Sequence, residues 1–267
     1  MGTVDCEIKN HLATVTFSNP PKGFLTSDMV EQTNTIIDDL AEDENVRVVV
    51  FTGGLENIFI RHFSVEEIVS WIPDMKERRA NGQPDPRFAR TPLRMMWEKI
   101  DNYRKPTIAA INGFCGGGGC ELALACDIRL AGPGDYTIGQ MEILVGILPG
   151  AGGTTRLARL VGTGKALEWV LRGRTFYPEE AAKEGLVHHY IDGDVLAAAH
   201  EMAGEFLDKP AASLSAIKQV LRSSWGKTTA DGVDEEGDLF GNIITSDPRA
   251  LEMMEEYIAN GHKMKKF

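Results

Sequence analysis

An α/β fold is predicted for this chain of 267 residues, and three observations predict it. Short apolar runs with strand character alternate with amphipathic helical patterns through most of the chain, the order that builds a sheet covered by helices. The run Val48-Val49-Val50-Phe51 is apolar at every residue, as expected of a parallel strand buried on both faces. Four glycines, Gly116 to Gly119, lead into a segment that is apolar on every side except Glu121, the pattern of a short helix inside the protein.

Taken in order, Val4 to Ile8 and Leu12 to Phe17 read as a strand pair across Asn10-His11. In the second run Ala13, Val15 and Phe17 alternate with Thr14 and Thr16. Asn19-Pro20-Pro21-Lys22-Gly23 is a loop. Met29, Thr33, Ile36, Ile37 and Leu40 recur at helical spacing, with Ser27 as the expected N-cap. A strand follows at Arg47 to Thr52. The stretch Trp71 to Arg90 carries Pro73, Gly82, Pro84 and Pro86 among charged residues, and is expected to be a mobile lid or a disordered insertion. Arg78, Arg79, Arg87 and Arg90 could reach phosphates from it, or simply be solvated. Thr91-Pro92 starts a helix whose apolar stripe is Leu93, Met96, Trp97 and Ile100. Thr107 to Ile111 is a strand ending at the turn Asn112-Gly113. Strand returns at Asp127 to Ala131. Helices are predicted at Thr154 to Val161, Thr163 to Leu171 and Pro178 to Glu184, and Leu186-Val187 then leads into a strand-like run before Asp192-Gly193. From Asp194 the pattern is all helical. Leu214, Ile217 and Leu221 form one stripe, and Leu251, Met254 and Ile258 another. The expected division is residues 1–193 as the core and 194–267 as a C-terminal helical region.

The formal charge of −11 argues against a nucleic-acid surface, which is normally basic. The longest apolar runs are too short to span a bilayer, and no basic segment followed by an apolar one opens the chain, so no membrane association and a cytoplasmic location are expected. Of four cysteines, Cys115, Cys120 and Cys126 fall close together, with neither redox nor zinc spacing. Free buried thiols and no metal site are expected.

The glycine run carries the strongest functional signal. Glycines at a helix start leave the backbone open to close approach by a ligand atom. The free N–H groups of the first turn and the positive end of the helix dipole favour an atom that is becoming negative. Glu121 falls in that same turn, so oxyanion donors and a carboxylate share one mouth. A phosphate loop of the Walker type is excluded: the nearest candidate, Gly164-Lys165, has Arg159 at the first glycine position and Ala166 at the hydroxyl position.

The stretch Ile108-Ala-Ala-Ile-Asn-Gly-Phe-Cys-Gly-Gly-Gly-Gly-Cys-Glu-Leu-Ala-Leu-Ala-Cys-Asp127, with Gly139-Gln-Met-Glu-Ile-Leu-Val-Gly-Ile-Leu-Pro-Gly-Ala-Gly-Gly153 after it, closely resembles the signature of the crotonase superfamily, the enoyl-CoA hydratase/isomerase family. The resemblance covers nearly the whole chain and weakens before Lys105 and after Trp225. It implies a ββα superhelix with C-terminal helices that assemble trimers, often paired as hexamers. It implies an acyl-CoA thioester as substrate and no cofactor, coenzyme A being part of the substrate. Position by position, the oxyanion amides would be those of Gly118 and Phe63, and the two carboxylates Glu121 and Glu142. Lys22, His62, Gly117 and Gly150 would line the substrate path, and Lys263, Lys265 or Lys266 could touch a neighbour's coenzyme A. The chain departs from the family at His62, where glycine is usual, at Ser64 for aspartate and at Met141 for proline. His62 then either tunes the substrate path or is a hydrogen-bonded, partly buried histidine.

Hydration of an α,β-unsaturated thioester needs a water activated at Cβ, a proton delivered to Cα and an oxyanion held by two N–H groups. Two carboxylates on one face of the substrate suit this, with Glu121 as the base and Glu142 as the proton donor. Isomerisation, dehydration of a hydroxyacyl-CoA, thioester hydrolysis and non-catalytic acyl-CoA binding stay open at this point.

Overall fold

The computed structural model describes residues 2–84 and 91–263. Strands β1 (Thr3–Lys9) and β2 (Leu12–Ser18) form the antiparallel hairpin expected, with Asn10 and His11 both at positive φ, 50° and 66°, as a two-residue hairpin turn of matching twist requires. Strands β3 (Val48–Gly53), β5 (Thr107–Ile111), β7 (Ile128–Ala131) and β9 (His189–Tyr190) extend it in parallel, in the order β1-β2-β3-β5-β7-β9. The strand-like run before Asp192-Gly193 is thus a strand at His189–Tyr190. Alternate residues of β3 and β5 feed two cores, because successive side chains point to opposite faces. Val49, Phe51, Ala109 and Ile111 belong to the larger core, and Val48, Val50, Ile108 and Ala110 to the smaller.

A second sheet of three parallel strands, β4 (Asn57–Ile60), β6 (Gly113–Gly116) and β8 (Ile138–Gly139), runs in the order β4-β6-β8. Ile60 pairs with Cys115, and Cys115 and Gly116 pair with Ile138 and Gly139, so the three strands end side by side. Loops at the carboxyl ends of parallel strands are where α/β folds collect ligand-binding groups. Here those ends deliver Phe63, Gly118 and Glu142.

Helix α1 (Ser27–Glu42) buries Met29, Thr33, Ile37 and Leu40, as their spacing predicts. Its N-cap is Thr26 rather than Ser27, whose hydroxyl instead donates to Glu67 Oε2 at 2.5 Å. Helix α2 (Val65–Ala80) takes the first half of the expected lid or insertion, whose residues 85–90 lie outside the described residues. Its proline, Pro73, leaves a carbonyl one turn back without a donor. None of the residues of α2 is buried, so water can satisfy that group. Ser64 caps the start, accepting from Glu67 N at 3.2 Å, and Asp74 pairs with Arg78 at 3.1 Å. Arg87 and Arg90 lie outside the described residues, as do Lys265 and Lys266. Helix α3 (Pro92–Asp101) is capped by Thr91 and buries Met96, Trp97 and Ile100.

Helix α4 (Gly118–Ala125) is buried at every residue, and it starts later than the glycine run suggests. Gly116 still belongs to β6, and Gly117, at φ 47°, makes the reversal between strand and helix. Beyond it come a short 3₁₀ turn (Glu142–Val145), α5 (Gly153–Val161), α6 (Thr163–Arg172) and α7 (Pro178–Glu184), which Gly185 ends in the left-handed region. Helix α8 (Val195–Leu207) packs Val195, Ala199 and Ala203 on the smaller core. Helices α9 (Ala211–Ser223), α10 (Thr229–Ser246) and α11 (Pro248–Ala259) complete the chain. They expose the predicted stripes, Ile217, Leu221, Leu251 and Ile258 among them, together with Phe240.

Candidate active site

The segment after β4 is held from one side. Arg61 N donates to the Gly23 carbonyl, Leu25 N to the His62 carbonyl and Ser64 N to the Leu25 carbonyl, at 2.8 to 2.9 Å. Phe63, between them, turns its own N–H the other way, and among the described residues no acceptor takes it. It faces the start of α4: a Cβ placed on Gly118 would lie 3.3 Å from Phe63 N. Gly118 is the first residue of α4, so its N–H has no partner within the helix. The Phe63 N–H and the first N–H of the helix, at Gly118, thus lie close together, and a side chain at 118 would crowd the space beside them.

The same glycines make room for carboxylates. A Cβ on Gly117 would lie 3.3 Å from Glu142 Oε1 and 3.4 Å from His62 Cβ. Glu121 follows within the first turn of α4 and is 3% exposed. Its Oε1 accepts from the N–H groups of Ala151 and Gly153, both at 2.9 Å. Oε1 is thus the anchored oxygen, and the Trp97 indole N–H, which makes no other hydrogen bond, is the further donor turned towards this carboxyl. Burial raises the Glu121 pKa, opposed by those two N–H groups, by the Arg156 charge and by the Trp97 indole. Glu142 is pushed up to about 7, chiefly by burial and further by the nearby Glu121 charge. The Gln140 side-chain nitrogen, oriented to satisfy its neighbours, donates to Glu142 Oε1 at 2.8 Å and Oε2 at 3.1 Å.

The raised Glu142 pKa has a consequence for stability. A carboxyl lifted from 4.5 to about 7 favours folding fully below its ordinary pKa and loses that contribution as the pH rises through about 7. Glu142→Gln is therefore expected to stabilise the fold by about 1–3 kcal/mol near pH 8 and by little near pH 5. Urea unfolding at the two pH values checks this. An equal effect at both would remove the titration as its cause.

His62 is not at positive φ, so it occupies the usual glycine position without left-handed strain. Its ring stacks on Phe24 at 4.5 Å, and Nδ1 donates to the Phe63 carbonyl at 2.7 Å. Lys22 is exposed, 5.3 Å above the Phe24 ring and 3.6 Å from Glu66, so Lys22, Phe24 and His62 form a file leading to the Phe63 amide. Gly150 is exposed in the turn before Ala151, whose N–H anchors Glu121, and it makes no hydrogen bond to either carboxylate. Arg78 is committed to Asp74. Sequence reasoning missed the Ala151 and Gly153 amides, Gln140 and the Trp97 indole. The glycine-rich run at residues 150–153 was the available signal for the first two, since glycines there leave N–H groups accessible.

Comparison with known proteins agrees with this architecture. The family model described as enoyl-CoA hydratase/isomerase matches residues 7–263. The chain is 31% identical over 249 residues to a "Probable enoyl-CoA hydratase" of Bacillus subtilis, covering 92% of each chain. It is 32% identical over 240 residues to a "Probable enoyl-CoA hydratase, mitochondrial" of Dictyostelium discoideum, covering 89% of this chain and 82% of that one. Among solved structures, the enoyl-CoA hydratase of Bacillus anthracis superposes with a TM-score of 0.86 at 27% identity over 98% of both chains. That of Thermoplasma volcanium superposes with a TM-score of 0.84 at 29% identity, over 95% of this chain and 96% of that one. The fold is the crotonase-like α/β fold that the resemblance implies, with its C-terminal helices.

Proposed function

This chain belongs to the enoyl-CoA hydratase/isomerase family and is an enzyme of that family, and from that premise we propose that it adds water reversibly across the α,β double bond of an acyl-CoA thioester. The observation that carries this is the meeting of two unpaired amides, Phe63 and Gly118, with two carboxyls, Glu121 and Glu142, at the ends of three parallel strands. The thioester oxygen sits on the two N–H groups, where negative charge gathers as the enolate-like transition state forms; each such donor contributes about 2.7–4 kcal/mol. A water bound between Glu121 Oε2 and Glu142 gives its proton to Glu121 and its oxygen to Cβ. Glu142 delivers its proton to Cα, and proton exchange between the two carboxyls restores the starting state. No cofactor is needed, because every proton and the oxygen come from water.

The pair works with one proton in both directions. Hydration and dehydration kcat/KM therefore share one bell-shaped pH profile, as a pH-independent equilibrium demands. The descending limb is expected as pH rises through about 7, where Glu142 loses its proton. Measuring kcat/KM over the pH range tests this; a rate that stays level as the pH passes about 7 would contradict it.

Lys22, His62, Gly117 and Gly150 are proposed to line the substrate path, with the Lys22–Phe24–His62 file towards the nucleotide end and Gly117 at the reacting carbons. Residues 1–193 are proposed as the spiral core and 194–267 as the assembly region, in which α8 also closes the smaller core. The exposed apolar stripes on α9 to α11 support a trimer or a pair of trimers. A cytoplasmic location is proposed; among the described residues no helix is long and apolar enough to cross a membrane. The test of activity is direct: on adding a short 2-enoyl-CoA, the conjugated thioester absorbance should fall. A shifted double bond as product would indicate isomerisation, and tight binding with no turnover across chain lengths would overturn the enzyme assignment.

A further inference from the structure

Behind Glu121 runs a line of charges that the hydration steps do not use. Arg156, on α5, donates Nε–H to Asp101 Oδ2 at 2.9 Å, with Nη2 on the same oxygen, and Nη1–H to the Ala151 carbonyl at 2.8 Å. Ala151 is the residue whose N–H holds Glu121 Oε1. Its two flanking peptide groups are thus gripped from opposite ends, the N–H by the carboxylate and the carbonyl by the guanidinium. Gly152 makes the grip possible: at φ 101° it turns the chain, and a Cβ there would lie 2.3 Å from Arg156 Nη1. Asp101, at the end of α3, turns its other oxygen to Arg222 of α9 at 3.3 Å. Arg222 continues to Asp127 Oδ1 at 2.9 Å and to the Ala125 carbonyl at 2.9 Å, and Lys218 reaches Asp127 Oδ2 at 2.8 Å. The Arg156 and Asp101 side chains are 12% and 23% exposed, so this is not a solvent-screened surface pair.

Resting on Glu121 as the water-activating base, we infer that Arg156 and Asp101 are positioning residues for it: their ion pair fixes the Ala151–Gly153 segment that orients the carboxylate, and Arg222 ties that setting to the C-terminal helix α9. A pair that only stabilised the fold would have no reason to spend its third guanidinium bond on the carbonyl beside the Glu121 donor. The groups facing Glu121 are Arg156 from α5, Glu142 from the 3₁₀ turn and the Trp97 indole N–H from α3, which is buried without a hydrogen-bond partner. Arg156 is the cation among them, and it opposes the burial that raises the Glu121 pKa.

Three variants test this. Asp101→Asn breaks the pair and leaves Arg156 uncompensated, which costs stability. Asp101→Leu combined with Arg156→Met removes both charges at similar volume, a change that buried pairs usually tolerate. In the double variant kcat is expected to fall by about 10-fold to 100-fold, the size of effect that slight misplacement of a catalytic group produces. KM should stay within about twofold, since substrate contacts are untouched. The ascending limb of the kcat/KM profile should move to higher pH, because Glu121 loses fixed donors and a cation while it stays buried. Carbon-13 NMR titration of the Glu121 carboxyl in the resting protein, assigned by its loss in Glu121→Gln, should move the same way. Arg156→Lys, which can reach Asp101 or the carbonyl but not both, should recover part of the rate. A profile and a titration that superimpose on the wild type would overturn the inference, whatever happens to the melting temperature. Were the wild type to hydrate no enoyl-CoA, the proposed function would fail, and the NMR titration would still decide the positioning role.

Discussion

Glu121→Gln and Glu142→Gln should each lower kcat for hydration by about 10²–10⁴-fold, the range that general acid–base catalysis contributes. Glutamine keeps the shape at both positions. At 121 its amide oxygen can still accept from Ala151 and Gly153, so the segment that holds it should stay in place. What disappears is the ability to take a proton from water, or at 142 to give one to Cα. KM should change little, because neither carboxyl is proposed to bind the nucleotide, and removing a transition-state interaction lowers kcat and kcat/KM together. The double variant should be little worse than the poorer single one, since the two groups handle one proton as a unit. Unchanged rates in both single variants would remove the glutamates from the chemistry.

Gly118 carries the second large effect. Gly118→Ala keeps the N–H but adds a Cβ that would sit 3.3 Å from Phe63 N, tight enough to spread the two amides. Gly118→Pro adds the same carbon and also removes the donor. Proline is well suited to the first position of a helix, where the missing N–H breaks no helical bond. The difference between the two variants therefore isolates the N–H itself. Proline is expected to be slower than alanine by about 10²–10³-fold in kcat, the loss seen when one oxyanion donor goes. Equal rates, with both variants folded by their melting curves, would mean that the Gly118 amide holds no developing charge.

Much of this arrangement is visible in the sequence, because part of it is local. The fully apolar β3, the alternation in β2 and the caps at Thr91 and Asp194 are written in neighbouring residues. The glycine run pointed to accessible amides and a close carboxylate, although it hid the fact that Gly113–Gly116 is a strand, since glycine has little strand propensity of its own. Helix α2 was obscured by Pro73, which is tolerated only because that helix stays at the surface. Other features depend on contacts between distant residues and leave no periodic trace. Glu121 is anchored by amides thirty residues further on, and the Phe63 amide is aimed by a segment near residue 25. The grip of Arg156 on Asp101 and Ala151 joins three separate elements. The sequence offered an isolated arginine after a glycine turn and nothing to say what it would meet.

A crystal structure with an unreactive enoyl-CoA analogue tests the central claim most directly. The thioester oxygen should lie about 2.7–3.1 Å from both Phe63 N and Gly118 N, the reach of an oxyanion donor. One water should touch both Glu121 and Glu142 beside Cβ. A carbonyl bound away from either amide, or carboxyls too far apart to share a single water, would contradict the account.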